Sequence, residues 1–203
     1  MLIYLQFSYI YFYQYLQFLK LHFLSSLENL NLVLGYFKRQ GFQNKAIKEA
    51  LFYVLPLSGR MEKVSDNIFV DYAHTYESVK KVLKQCKKYF NKPLIVVIGA
   101  GGNRDKGKRK KYGKALKKYA DIVILTEDNP RNEKILDILN EIKGKNKFFI
   151  ISSRYKAIDF AVNLYFAEKT VLILGKGDER TIEKNGIKYP FHDKMVVKEC
   201  LLK

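Results

Sequence analysis

Between Ile68 and Leu174, short unbroken apolar runs alternate with longer stretches whose apolar residues recur at helical spacing. The runs Ile68–Asp71, Leu94–Ile98, Asp121–Leu125, Phe148–Ile151 and Thr170–Leu174 lack polar alternation. Such strands belong to a sheet covered on both faces. The intervening segments Glu77–Phe90, Lys108–Tyr119, Glu133–Ile142 and Tyr155–Phe166 supply the covering helices. In the first of them Val79, Val82, Leu83, Cys86 and Phe90 share one face. The pattern predicts an α/β fold: a Rossmann-like, mostly parallel sheet with helices on both faces, preceded by a short helical segment. A hairpin-like strand over Gly186–Phe191 and a helix from Asp193 complete it.

A chain of 203 residues holds one well-buried core plus an extension, and 48% apolar with 28% charged residues is ordinary for a globular protein. The formal net charge of +17 is not ordinary. Basic residues crowd into Lys84–Lys92, Lys106–Lys111 and Lys114–Lys118. In the first and third runs they alternate with apolar residues at helical spacing, which reads as solvated helix faces. Aromatic residues do not interleave with them as a stacking platform for nucleic acid requires, so no nucleic-acid partner is expected. Cys86 and Cys200 stand on apolar helix positions without a ligand set at metal spacing and read as buried thiols of a reducing compartment.

Residues 1–24 form an atypical aromatic leader. Met1–Leu19 carry no charge, yet Tyr and Gln interrupt the apolar run. Its length suits a membrane span, but its polarity does not, and a basic start and small-residue cleavage site are missing. A non-native or truncated leader is the favoured reading, ahead of a membrane anchor or a packed helix. Residues 25–57 read as a helical segment with amphipathic stretches at Asn29–Gln40 and Asn44–Leu55, and residues 58–203 as the main domain.

Polar clusters follow several strands. After Leu125 comes Thr126-Glu127-Asp128-Asn129-Pro130-Arg131, where Arg offers a planar fork for a carboxylate and Pro stiffens the loop. Read alone, this is equally a surface turn entering a helix. The loop Gly102–Arg109 nearly spells a phosphate-binding P-loop, but Arg109 stands where that motif needs Ser or Thr for magnesium. Other blocks are Gly59-Arg60-Met61-Glu62, Asp71-Tyr72-Ala73-His74-Thr75, Arg154-Tyr155-Lys156-Ala157-Ile158 and Gly175-Lys176-Gly177-Asp178-Glu179.

Taken in order, these blocks resemble the C-terminal domain of the Mur ligases, most closely the branch adding meso-diaminopimelate to UDP-N-acetylmuramoyl-L-alanyl-D-glutamate. The resemblance covers roughly residues 28 to 203. It implies that Arg104 grips a carboxylate of diaminopimelate and that Asn129 and Arg131 distinguish diaminopimelate from lysine. Gly175 would complete the pocket through its backbone and Glu179 through attraction to the distal ammonium. It further implies that Arg60, Asp71 and His74 reach a nucleotide, with Asp71 at the ribose. The chain departs from the pattern in Asp178, where the family usually has His, in Tyr76 for Pro, and in Ser153 before Arg154, which reads as structural. The Asp178 exchange changes local charge and puts the pocket geometry in doubt.

The expected function is the amino-acid-binding part of an ATP-dependent ligase of peptidoglycan precursor synthesis, a truncated or split form inactive alone. The alternative is a stand-alone diaminopimelate-binding or partner-docking module. By resemblance the cofactors are ATP and Mg2+, although the metal ligands and most phosphate ligands have no counterpart in the sequence. The partners would be meso-diaminopimelate, then UDP-MurNAc-dipeptide and ATP only with the missing domains, and a separately encoded N-terminal fragment. A cytoplasmic location follows, with membrane association of residues 1–24 not favoured.

Overall fold

The computed structural model describes residues 34–43, 57–165 and 168–203. The chain divides into two compact units, Met1–Leu57 and Ser58–Lys203. In the first, residues 34–39 are helical and Phe37 stacks edge-on with Phe42 at 5.3 Å between ring centres. The leader of residues 1–24 and the stretch Asn44–Leu55 lie outside the described residues. Among the described residues no helix is long and apolar enough to cross a membrane.

The second unit is built on a six-stranded sheet. Its strands are β1 (Glu62–Ser65), β2 (Ile68–Asp71), β3 (Leu94–Ile98), β4 (Ile122–Leu125), β5 (Phe149–Ile150) and β6 (Thr170–Leu174), in the order β1-β2-β6-β3-β4-β5. Only β1 runs antiparallel, paired to β2. The apolar runs read from the sequence are the parallel strands, and every residue of β3 and β6 is buried. A separate hairpin of β7 (Thr181–Lys184) and β8 (Ile187–Pro190) turns at Asn185-Gly186, both with positive φ.

The helices are α1 (Tyr76–Phe90), α2 (Gly107–Tyr119), α3 (Ile135–Lys143), α4 (Arg154–Asn163) and α5 (Asp193–Leu201). Right-handed crossovers from β2 through β5 set α1, α2 and α3 side by side on one face, and the return to β6 puts α4 on the other, packed on α5. The two-residue period of the strands then splits the core. Val70, Ile95, Val97, Ile124, Val171 and Ile173 pack with Ala157, Ile158, Ala161 and Val197 of α4 and α5. Phe69 turns the other way and meets Phe90 of α1 at 5.0 Å. Burying one such side chain stabilises by about 1.5–3 kcal/mol.

Helix starts follow local chemistry. Thr75 caps α1 by accepting from the Ser78 amide at 3.2 Å, and the Ser78 hydroxyl accepts from the Thr75 amide at 3.1 Å. This reciprocal box replaces the preorganisation of a proline at Tyr76. Helix α3 begins two residues later than its pattern suggested, because Glu133 is drawn into a side-chain network instead of the first turn. Helix α4 ends at Asn163 rather than Phe166. Strands β1 and β7 were not legible in the pattern.

Candidate functional site

A cleft of about 620 Å³ lies across the carboxyl ends of β2, β3, β4 and β6. Tyr72, His74 and Tyr76 line it from beyond β2, and Gly101, Arg104, Asp105, Lys108 and Lys111 from beyond β3. Asp128, Asn129 and Arg131 enter from beyond β4, and Gly175 and Glu179 from beyond β6. Five sequence candidates for amino-acid recognition, Arg104, Asn129, Arg131, Gly175 and Glu179, thus share one cleft with His74. Arg60 and Asp71 do not line it.

The two arginine loops are laced together. The Gly102 amide donates to the Asn129 carbonyl at 2.9 Å, and Arg131 Nη1 donates to the Gly102 carbonyl at 2.9 Å. A Cβ on Gly102 would lie 1.9 Å from the Pro130 carbonyl oxygen, so only glycine permits this approach. Gly101 sits between the cations: its Cβ would meet Arg131 Nη1 at 3.1 Å and Arg104 Cγ at 3.7 Å. Below, the fully buried Arg109 donates to both oxygens of Glu133 at 2.9 Å and to Glu141 at 3.2 Å. The Asn103 amide also donates to Glu133 at 2.5 Å. Chiefly the Arg109 bonds, aided by Asn103, hold the Glu133 carboxyl down at about 2.

Facing these cations is an acidic corner built around a buried lysine. Lys176 Nζ lies 2.8 Å from Glu179 Oε2, 3.2 Å from Asn129 Oδ1 and 3.8 Å from Asp128 Oδ1. Burial pushes the Glu179 carboxyl up, but the bonds from Lys176 and Asn129 outweigh it and keep the group below its ordinary value. Asn129 spends its side chain on the protein, donating to Glu179 at 3.0 Å and accepting from the Glu183 amide at 2.9 Å. Gly175, at φ +114, leaves room for Asp128, whose Oδ2 a Cβ would approach to 2.7 Å. The cleft therefore gathers guanidinium and ammonium groups (Arg104, Lys108, Lys111, Arg131) and carboxylates (Asp105, Asp128, Glu179) in one mixed-charge lining.

Behind Tyr72, Asp71 is only 5% exposed and accepts from the amides of Met61 and Ala73, both at 2.7 Å. Burial raises its pKa against those bonds. The Arg60 guanidinium lies 4.7 Å over the Tyr72 ring, and His74 Nδ1 meets the Tyr72 carbonyl at 2.9 Å. Asp178 lies away from the cleft, accepting from Ser58 Oγ at 2.9 Å and facing His192 Nε2 at 3.1 Å. Its exchange for the family's His therefore falls outside the cleft lining. Arg154 is fully buried, paired with Asp193 at 2.7 Å, and donates to the carbonyls of Glu127 and Leu174, joining the ends of β4 and β6.

Sequence reasoning missed Lys108, Lys111 and Asp128 as lining of the cleft and Lys176 as the buried cation behind it. Lys108, Asp128 and Lys176 stand inside motifs already singled out, whereas Lys111 falls one turn after Lys108 at the start of α2, a spacing that could have marked it. As a P-loop, Gly102–Arg109 does not fit: Arg109 is spent on Glu133, and no cluster of His, Cys, Asp and Glu suited to a metal ion exists among the described residues.

A mostly parallel sheet with helices on both faces and a mixed-charge cleft at its carboxyl edge defines the chain as a doubly wound α/β domain. Residues 59–177 match the family described as Mur ligase, glutamate ligase domain, and the chain belongs to that family. It is 44% identical over 180 residues to the UDP-N-acetylmuramoyl-L-alanyl-D-glutamate–2,6-diaminopimelate ligase of Aquifex aeolicus, covering 85% of this chain and 37% of that one. The corresponding ligase of Buchnera aphidicola is 41% identical over 160 residues, covering 74% and 32%. A solved structure of such a ligase superposes with a TM-score of 0.66 at 34% identity, covering 86% of this chain and 38% of that one. A folylpolyglutamate synthase from Thermotoga maritima gives 0.53 at 25% identity, covering 72% and 35%. The chain spans about a third of the length of the curated relatives it matches.

Proposed function

We propose that this chain is the amino-acid-accepting part of an ATP-dependent ligase that joins meso-diaminopimelate to UDP-N-acetylmuramoyl-L-alanyl-D-glutamate, a cytoplasmic step of peptidoglycan precursor synthesis. The observation that carries the reading is the lacing of the Arg104 and Arg131 loops opposite the Asp128–Lys176–Glu179 corner. Arg104 would bind one carboxylate of diaminopimelate. Arg131, with Nε and Nη1 engaged by Glu183 and Gly102, would present Nη2 to the second. Glu179 would attract the distal ammonium, Gly175 would admit the ligand against its backbone, and Asn129 would act by holding Glu179 in place.

Lysine offers no second carboxylate, which leaves Arg131 unmatched. A charge-assisted bond is worth about 1.5–3 kcal/mol, hence about tenfold discrimination or more. On the other wall, Arg60 and His74 would face a nucleotide held by a partner domain, with Asp71 fixing the backbone that carries them. ATP would supply the activating phosphoryl group, and the Mg2+ and most phosphate contacts would come from that partner.

Titration of the 15N-labelled chain with meso-diaminopimelate tests the reading. Saturable shifts should concentrate at Gly101, Arg104, Asn129, Arg131, Gly175 and Glu179. Shifts confined to residues away from the cleft would discard it.

A further inference from the structure

The β7–β8 hairpin stands outside the main sheet, and every residue of β8 is exposed. An isolated two-stranded hairpin is marginal in water, so the contacts that anchor it matter. They converge on Arg131 and its neighbours. The Arg131 amide donates to the Glu183 carbonyl at 3.1 Å, the Asn185 amide donates to the Arg131 carbonyl at 3.0 Å, and Arg131 and Lys184 form a parallel bridge there. The Glu183 amide donates to Asn129 Oδ1 at 2.9 Å, and Lys184 Nζ lies 2.6 Å from Glu127 Oε2. Glu183 Oε2 faces Arg131 Nε at 3.2 Å.

Arg131 needs such support. Its φ of +51 is left-handed, a conformation costing a non-glycine residue about 1–2 kcal/mol, and its long side chain loses rotamer freedom on binding. Hairpin bonds on both sides of the residue hold the backbone, and the Glu183 carboxylate holds the Nε edge of the guanidinium. Both costs are met before a ligand arrives, which is how preorganisation raises affinity.

We propose that the β7–β8 hairpin is a working part of the amino-acid site and that Glu183 is a positioning residue, fixing the plane in which Arg131 meets the ligand carboxylate. The proposal rests on the functional reading above for the ligand's identity, but not for the geometry of the pair. Glu183 also sets the preference for a dicarboxylic over a monocarboxylic amino acid, because only the former uses Arg131.

The test uses the full chain with Glu183→Ala and Glu183→Gln. Backbone bonds from residue 183 survive both changes, and the amide signals of Glu183 and Asn185 report that the hairpin persists. In E183A the Arg131 Nε–Hε signal should move toward its solvent-exposed position, and the dissociation constant for meso-diaminopimelate should rise about three- to tenfold with that for L-lysine unchanged. E183Q, which keeps an acceptor without the charge, should stay close to wild type. An unmoved Arg131 signal in E183A, or tighter meso-diaminopimelate binding in both variants, would overturn the proposal, the latter because it would make Glu183 a repulsive charge. If the wild type binds neither amino acid, the functional reading fails, and the Arg131 signal alone decides the positioning role.

Discussion

Arg109 aligns its two terminal nitrogens with both oxygens of Glu133, each at 2.9 Å, from a fully buried position. This pair joins the first turn of α2 to the loop that precedes α3, and those segments flank Arg104 and Arg131. Arg109→Met removes these charge-assisted bonds but leaves Glu133, which is partly solvated, with Lys106 at 3.4 Å and the Asn103 amide, so it is expected to destabilise the fold by about 1.5–3 kcal/mol, measured by urea unfolding. Glu133→Gln keeps the shape and one acceptor oxygen and leaves Arg109 its Glu141 partner, so it should cost less.

The same pair gives a pH signature. The Glu133 carboxyl sits at about 2 in the fold against an ordinary 4.5, so the folded state binds its proton more weakly than the unfolded chain does. Its contribution is complete above about pH 4.5 and is lost as pH falls toward about 2. Comparing unfolding of wild type and E133Q across this window should show the difference between them shrinking as the pH drops. A difference that stays constant would place the stabilisation elsewhere.

Gly102→Ala should push the arginine loops apart, because the new Cβ would overlap the Pro130 carbonyl oxygen at 1.9 Å. Overpacking of this kind costs about 1–3 kcal/mol. Thermal unfolding should report that loss, and an NMR titration should show weakened meso-diaminopimelate binding with core amide signals of β3 and β6 unmoved.

Purified alone, the chain should neither hydrolyse ATP appreciably nor ligate diaminopimelate to the muramyl dipeptide. Phosphoryl transfer relies on positioned phosphates and metal, and the Gly102–Arg109 loop serves an ion pair instead. A phosphate-release assay on material free of host ligase checks this.

The sheet was legible because its strands are continuous apolar runs, and α1 because Val79, Val82, Leu83 and Cys86 keep one face buried. The cleft was legible because its motifs follow parallel strands, whose carboxyl ends must share an edge. What escaped depends on partners distant in sequence. Arg109 looks like one more basic loop residue until Glu133 meets it, and Lys176 like a surface lysine until Asp128 and Glu179 surround it. Thr181-Ile182-Glu183-Lys184 has too few apolar residues to announce β7, although the Asn185-Gly186 turn was a signal for the hairpin. Asp178 looked like a change of pocket charge, but its side chain turns to Ser58 and His192.

Parallel titration of wild type and Arg131→Ala with meso-diaminopimelate and L-lysine is the most direct measurement. The account predicts that the wild type prefers meso-diaminopimelate by about tenfold or more, and that Arg131→Ala erases most of that preference by weakening diaminopimelate alone. Equal affinities for the two amino acids, untouched by the substitution, would contradict it and leave the Asp128–Arg131 loop an ordinary turn.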